Sequence, residues 1–308
     1  MTAIILHHYD ASPFTQKALR MLGLKRLAWR SAQTPMLPPK DDLVALTGGY
    51  RGTPVMQIGA DVYIDSQRIA LELERRHPTP TLFPGGDPGI AQMLVKWSET
   101  FFRSGLAISV NLLAKDWPEP FRADREALFP DFDFHGALRD ATHAQSQFRV
   151  HAGWLDSQLK VRGPFLTGAE PGLADIQAHV FVWMARAYFP ELAARLLAPF
   201  TTLAAWEQAM LALGEGQRTE IAAAVALDEA RAANADATQL AVDAGDPLGF
   251  AAGQRVEVAP DDTLRGGVAG ELVGLDWRGV SVRRSDPRCG TVIVHFPRIG
   301  YRVTAAPA

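Results

Sequence analysis

The chain has 308 residues, enough for two or three domains at about 100–200 residues each. Hydrophobic residues make up 47% and charged residues 21%, ample for packed cores, and the net charge of -3 argues against massed basic contacts to nucleic acid. No apolar run nears the ~20 residues of a membrane span, and no basic leader with a cleavage site opens the chain, so the expectation is a cytoplasmic protein. Cys289 is the single cysteine, which excludes an internal disulfide and a cysteine-based metal site.

Residues 3–6 form a short apolar run, a strand candidate, and the turn after it leads to Ser12-Pro13-Phe14. Proline suits the first turn of a helix, where its missing N–H would be unpaired anyway. Phe14, Ala18, Leu19 and Leu22 then recur at helical spacing until Gly23. Residues 27–30 are a second strand candidate, 34–39 a proline-rich loop, and 40–46 one or two helical turns. Thr53-Pro54-Val55-Met56-Gln57-Ile58 and Val62-Tyr63-Ile64, joined by Gly59-Ala60-Asp61, read as a hairpin. Asp65-Ser66 opens a helix to residue 76, and the prolines at 78, 80, 84 and 88 mark a boundary. The order β-α-β-α-β-β-α is that of a compact α/β domain.

Residues 91–102, 136–161, 173–187 and 199–213 carry apolar residues at three- and four-residue spacing and predict helices. Residues 116–134, rich in Pro, Asp and Phe, predict an irregular connection, and the alanine-rich 219–237 a helical connector. After Asp246-Pro247-Leu248-Gly249 the pattern turns to short alternating strands at 255–258, 270–274, 280–283 and 291–296, the signature of a small β-barrel or sandwich, and it resembles small barrels of the Src-homology type. Six arginines (278, 283, 284, 288, 298, 302) make this region locally basic, as a solvated face would be.

Four motifs stand in a fixed order: Ser12-Pro13-Phe14 at a strand-to-helix turn, Thr53-Pro54-Val55 before a strand, Asp65-Ser66 before a helix, and Leu173-Ala174-Asp175-Ile176 opening a helix. Over residues 1–213 this arrangement resembles the soluble glutathione transferases. The resemblance implies a thioredoxin-like α/β domain (1–82) and an all-helical bundle with a connector helix (88–240), here followed by a small all-β barrel (246–308). It implies that Ser12 faces the sulfur of glutathione, that Pro54 follows a cis bond, and that Asp65 and Ser66 hold the γ-glutamyl end. Phe14 and Thr53 would complete the glutathione pocket. Relatives often carry a cation two residues before the cis proline; here that place is Gly52, so Arg51 or Lys40 is assigned to the glycyl carboxylate. No metal is implied, and a homodimer is.

Each motif also has a plainer reading. Serine before proline is a common helix cap, an ordinary proline starts many strands, and Asp-Ser caps helices. At the helical-domain motif the capping position is Gly172, so only the Asp175 half of a capping box remains, and its role is structural. His7 and His8 lie beside Ser12, but strand packing accounts for them; His135, His143 and His151 recur every eight residues and drift off one helix face.

The chemistry implied is attainable without a metal. A thiol of pKa ~8.5 must be lowered by about two units, which requires roughly 2.7 kcal/mol. A charge-assisted hydrogen bond contributes about 1.5–3 kcal/mol and a helix N-terminus up to about 2. The expected activity is therefore transfer of an alkyl or aryl group from a small electrophile to glutathione. The alternative is a binding or scaffold protein that keeps the fold and acts through its β domain.

Overall fold

The computed structural model describes residues 2–306 except 87 and 264. The N-terminal part runs β1 (Ile5–His8), α1 (Pro13–Leu24), β2 (Ala28–Gln33), α2 (Asp41–Thr47), β3 (Val55–Ile58), β4 (Asp61–Ile64) and α3 (Ser66–Arg76). β1 is central, parallel to β2 and antiparallel to β3. All four of its residues are buried, which explains its unbroken run rather than an alternating one. Each of its two histidines has one ring nitrogen partnered inside the sheet: His7 Nε2 meets Gln57 Oε1 at 2.9 Å and His8 Nε2 meets Ser31 Oγ at 2.9 Å. Burial pushes both imidazoles below their usual range, His8 to about 4, so they sit neutral as packing groups.

The helical part comprises α4 (Pro88–Leu113), α5 (Glu119–Leu128), α6 (Phe134–Arg139), α7 (Ala141–Arg162), α8 (Leu173–Tyr188), α9 (Pro190–Leu197) and α10 (Thr201–Ala212). α8 is buried along most of its length, with Phe181 against Phe101 of α4, which in turn meets Phe148 of α7. Asp175 fixes its start. The carboxylate accepts from the N–H groups of Leu166 (2.8 Å) and Gly172 (3.1 Å) and from Trp206 Nε1 (2.9 Å).

The remaining elements are β5 (Gln217–Ile221), α11 (Ala223–Ala232), β6 (Arg255–Pro260), β7 (Val268–Leu275), β8 (Gly279–Asp286), β9 (Gly290–Pro297) and β10 (Tyr301–Ala305). β6 to β9 form an antiparallel meander, and β10 returns to pair with β6, the strand order of a small five-stranded barrel. The barrel does not stand apart. β9 pairs in parallel with β4, giving one continuous order β10-β6-β7-β8-β9-β4-β3-β1-β2-β5. Its inward residues, among them Val258, Val282 and Val294, share a core with Leu46 and Tyr50 near α2 and with Val62 of β4. At the seam His295 stacks on Tyr63 at 4.6 Å, and its two ring nitrogens meet Ser281 Oγ (2.8 Å) and Asp61 Oδ1 (2.9 Å). Ser281 is buried within the sheet, so this trio ties three strands together.

Three sequence expectations are corrected. Residues 217–221 form a strand, not part of a helix, because the open edge of β2 recruits them; being mostly exposed, they carry no apolar alternation to read. Gly216 permits the approach, since a Cβ there would lie 2.3 Å from the Leu27 carbonyl oxygen. Residues 116–134 contain α5, which starts beside Pro118 and Pro120, where proline fits a first turn. The helix expected over 136–161 is split at Asp140, whose side chain accepts from His143 N and caps α7. Among the described residues no helix is long and apolar enough to cross a membrane.

Candidate functional site

A cleft between the N-terminal sheet, the helical part and the barrel contains two cavities of about 290 and 300 Å³. Phe14, Thr53, Phe102, Leu106, Phe129 and Arg265 line both, so the cavities adjoin across them. Ser12, Lys40 and Arg51 line the second cavity; Pro54, Asp65 and Ser66 line the first. The fold thus gathers all eight residues singled out in the sequence onto one cleft.

Ser12 ends the turn after β1 in extended conformation and caps α1. Its Oγ accepts from Thr15 N at 3.3 Å, the helix-cap reading. That bond uses a lone pair of the oxygen and leaves the hydroxyl proton available to a ligand. The residue is only 2% exposed and lines the second cavity. Thr53–Pro54 is a cis peptide bond.

Asp65 is the most constrained residue of the cleft. It joins β4 to α3 at φ 75° and ψ 141°, a region that residues with a Cβ rarely occupy and that costs of order 1–3 kcal/mol. One carboxylate oxygen caps α3 through Gln67 N (2.9 Å), and the other accepts from the Tyr301 hydroxyl (3.2 Å). The barrel therefore touches the site directly.

The two cations nominated for a carboxylate differ. Arg51 already pairs with Asp124 of α5 at 2.8 Å. Lys40 lies with its ammonium over the Tyr9 ring at 5.3 Å, and desolvation, with Arg125 and Arg51 adding to it, lowers its pKa to about 8. Gly52 is explained by its neighbour: a Cβ there would lie 2.4 Å from the Tyr50 hydroxyl.

Sequence reasoning missed Lys17 and Arg265. Lys17 is buried on α1, over the rings of Phe14 (4.6 Å) and Phe181 (5.7 Å), and burial lowers its pKa to about 8. A lysine inside the apolar stripe of α1 was the available signal. Arg265, in the β6–β7 connection, lies 5.6 Å from the centre of the same Phe14 ring. Nothing in the sequence signals its position, because the continuous sheet brings that connection to the cleft.

Comparison with known proteins agrees with this geometry. The family described as glutathione S-transferase, N-terminal domain, matches residues 6–81. The crystal structure of a GST-like protein from Pseudomonas syringae is 33% identical, with 99% of this chain and 100% of that one covered, at a TM-score of 0.80. A tau-class glutathione S-transferase from mango, Mangifera indica (19% identity, 68% and 89% coverage, TM-score 0.53), shares the fold. So does a beta-etherase from a Sphingobium strain (16% identity, 69% and 96% coverage, TM-score 0.53). No curated protein sequence matches the chain. The chain belongs to the glutathione transferase-like family.

Proposed function

We propose that the cleft binds glutathione across both cavities and that Ser12 stabilises its thiolate for attack on a small electrophile. The observation that carries this reading is the convergence of Ser12, Thr53, Asp65 and Ser66, from three separate turns, on one cleft of peptide size. Asp65 and the start of α3 suit a zwitterionic γ-glutamyl end, the carboxylate taking the ammonium and backbone N–H groups the carboxylate. Thr53, beside the peptide, would pair with its backbone as an added strand does. Lys40, which has no ion pair among the described residues where Arg51 has one, would take the glycyl carboxylate.

The sulfur then lies at the N-terminus of α1, where unpaired N–H groups and the helix dipole favour an anion. Ser12 would donate a hydrogen bond from its hydroxyl to the thiolate while its lone pair keeps the Thr15 cap. The second cavity, walled by Leu113, Trp117, Phe121 and Tyr188, would hold an apolar electrophile. The thiolate forms a carbon–sulfur bond and the leaving group departs with its electron pair, so no redox partner is required. A homodimer and a cytoplasmic location belong to the same proposal; light scattering of the purified chain checks the first.

A second reading, a scaffold that keeps the fold without the chemistry, is favoured by the Tyr301 hydroxyl already on Asp65 and by the Arg51–Asp124 pair. Titration calorimetry separates the two. Saturable heat with glutathione at millimolar concentration or below supports the enzyme reading; its absence overturns it in favour of the scaffold.

A further inference from the structure

Arg265 belongs to the C-terminal strands, yet it lines both cavities of the cleft. Its position is built rather than incidental. The Arg265 carbonyl accepts from Arg51 N at 2.8 Å, locking the β6–β7 connection onto the loop that precedes Thr53. Two glycines allow that approach: a Cβ at Gly266 would lie 2.2 Å from the Gly49 carbonyl oxygen, and one at Gly49 would lie 2.6 Å from that of Gly267. The guanidinium is set among Tyr50, Tyr301, Asp65 and Asp262, with the Phe14 ring 5.6 Å away. Lys17, 6% exposed, brings its ammonium to the same ring and into the same first cavity.

We propose that the barrel is part of the ligand site and that Arg265, with Lys17, joins the backbone N–H groups at the start of α3 in holding the α-carboxylate at the γ-glutamyl end of the bound peptide. This rests on the glutathione reading and adds to it a role for the third region of the chain. Two cations beside Asp65 and Glu99 match a group that carries both signs, as an amino-acid end does. A phosphate would be repelled by those carboxylates and by Asp262. Arginine offers a planar pair of donors to the carboxylate, and lysine a compact charge. Asp65 remains for the ammonium, held by the Tyr301 hydroxyl at 3.2 Å. The site is then read from two sides, by the N-terminal turn elements and by the barrel.

The test compares glutathione with its analogue in which the γ-glutamyl α-carboxylate is a carboxamide, titrated calorimetrically into the full-length chain and into Arg265→Gln and Lys17→Met. The wild type is expected to prefer glutathione by tenfold or more. Each variant is expected to reduce that preference to threefold or less, by weakening glutathione while the amide binds as before. Should Arg265→Gln misfold by circular dichroism, Lys17→Met and Arg265→Met carry the comparison. A preference that stays at the wild-type ratio in folded variants overturns the proposal, as does an equal loss of both ligands. A wild type that binds neither ligand overturns the glutathione reading itself, and the proposal with it.

Discussion

Replacing Ser12 by alanine removes one oxygen from the lining of the second cavity and leaves the α1 N-terminus in place. The ligand effect and the folding effect can be separated by size. A hydrogen bond to a charged group is worth about 1.5–3 kcal/mol, and each pKa unit corresponds to about 1.36, so the thiol of bound glutathione should rise by about one to two units. The cap contributes typically about 1 kcal/mol to a helix. Here the Thr15 N to Ser12 Oγ distance is 3.3 Å, long for such a bond, so a loss at or below that value is expected in the melting of the free protein. The assay is the ultraviolet absorbance of the thiolate, followed against pH in the saturated complex, with affinity measured in parallel. A titration midpoint unchanged between wild type and Ser12→Ala, at equal saturation, refutes the role of the hydroxyl and leaves Ser12 as a cap alone. A residual lowering in the variant is expected from the helix end.

Three further outcomes follow from the same geometry. Asp175→Ala strands the N–H groups of Leu166, Gly172 and Trp206 in a buried place, and should lower stability by about 3–5 kcal/mol in urea unfolding; a loss below 1 kcal/mol would contradict the assigned network. Gly23→Ala lies inside α1, where helix propensity alone predicts a gain of up to about 1 kcal/mol. Its Cβ would however lie 2.3 Å from the Gly214 carbonyl oxygen, so the melting temperature should fall; a rise would show that the 213–216 segment yields easily. Lys17 and Lys40 both titrate near 8, and only their charged forms attract carboxylates, so affinity for S-methylglutathione should fall as pH rises through about 8. Asp65, Glu99 and Arg265 bear on the first lysine, and Arg125, Arg51 and Asp124 on the second. A binding curve flat from pH 7 to 10 would contradict this.

The linear sequence determined the elements that local chemistry controls. Ser12-Pro13 must start a helix, Gly59-Ala60-Asp61 must turn a hairpin, and the alternating C-terminal runs must form strands, because each follows from donors, dihedrals and apolar period within a few residues. The four motifs and their order carried the resemblance that pointed to the cleft; each alone reads as an ordinary cap or strand start. What lay beyond the sequence depended on which free edges found each other. Residues 219–221 read as the start of a helical connector and fall in strand β5 only because β2 offers an unpaired edge. Arg265 is an ordinary loop arginine until β9 joins β4 and carries it some two hundred positions along the chain to Ser12 and Thr53. Sheet continuation is a long-range event, decided by unsatisfied backbone groups and a shared core, and it is the tertiary structure alone that made the barrel a wall of the site.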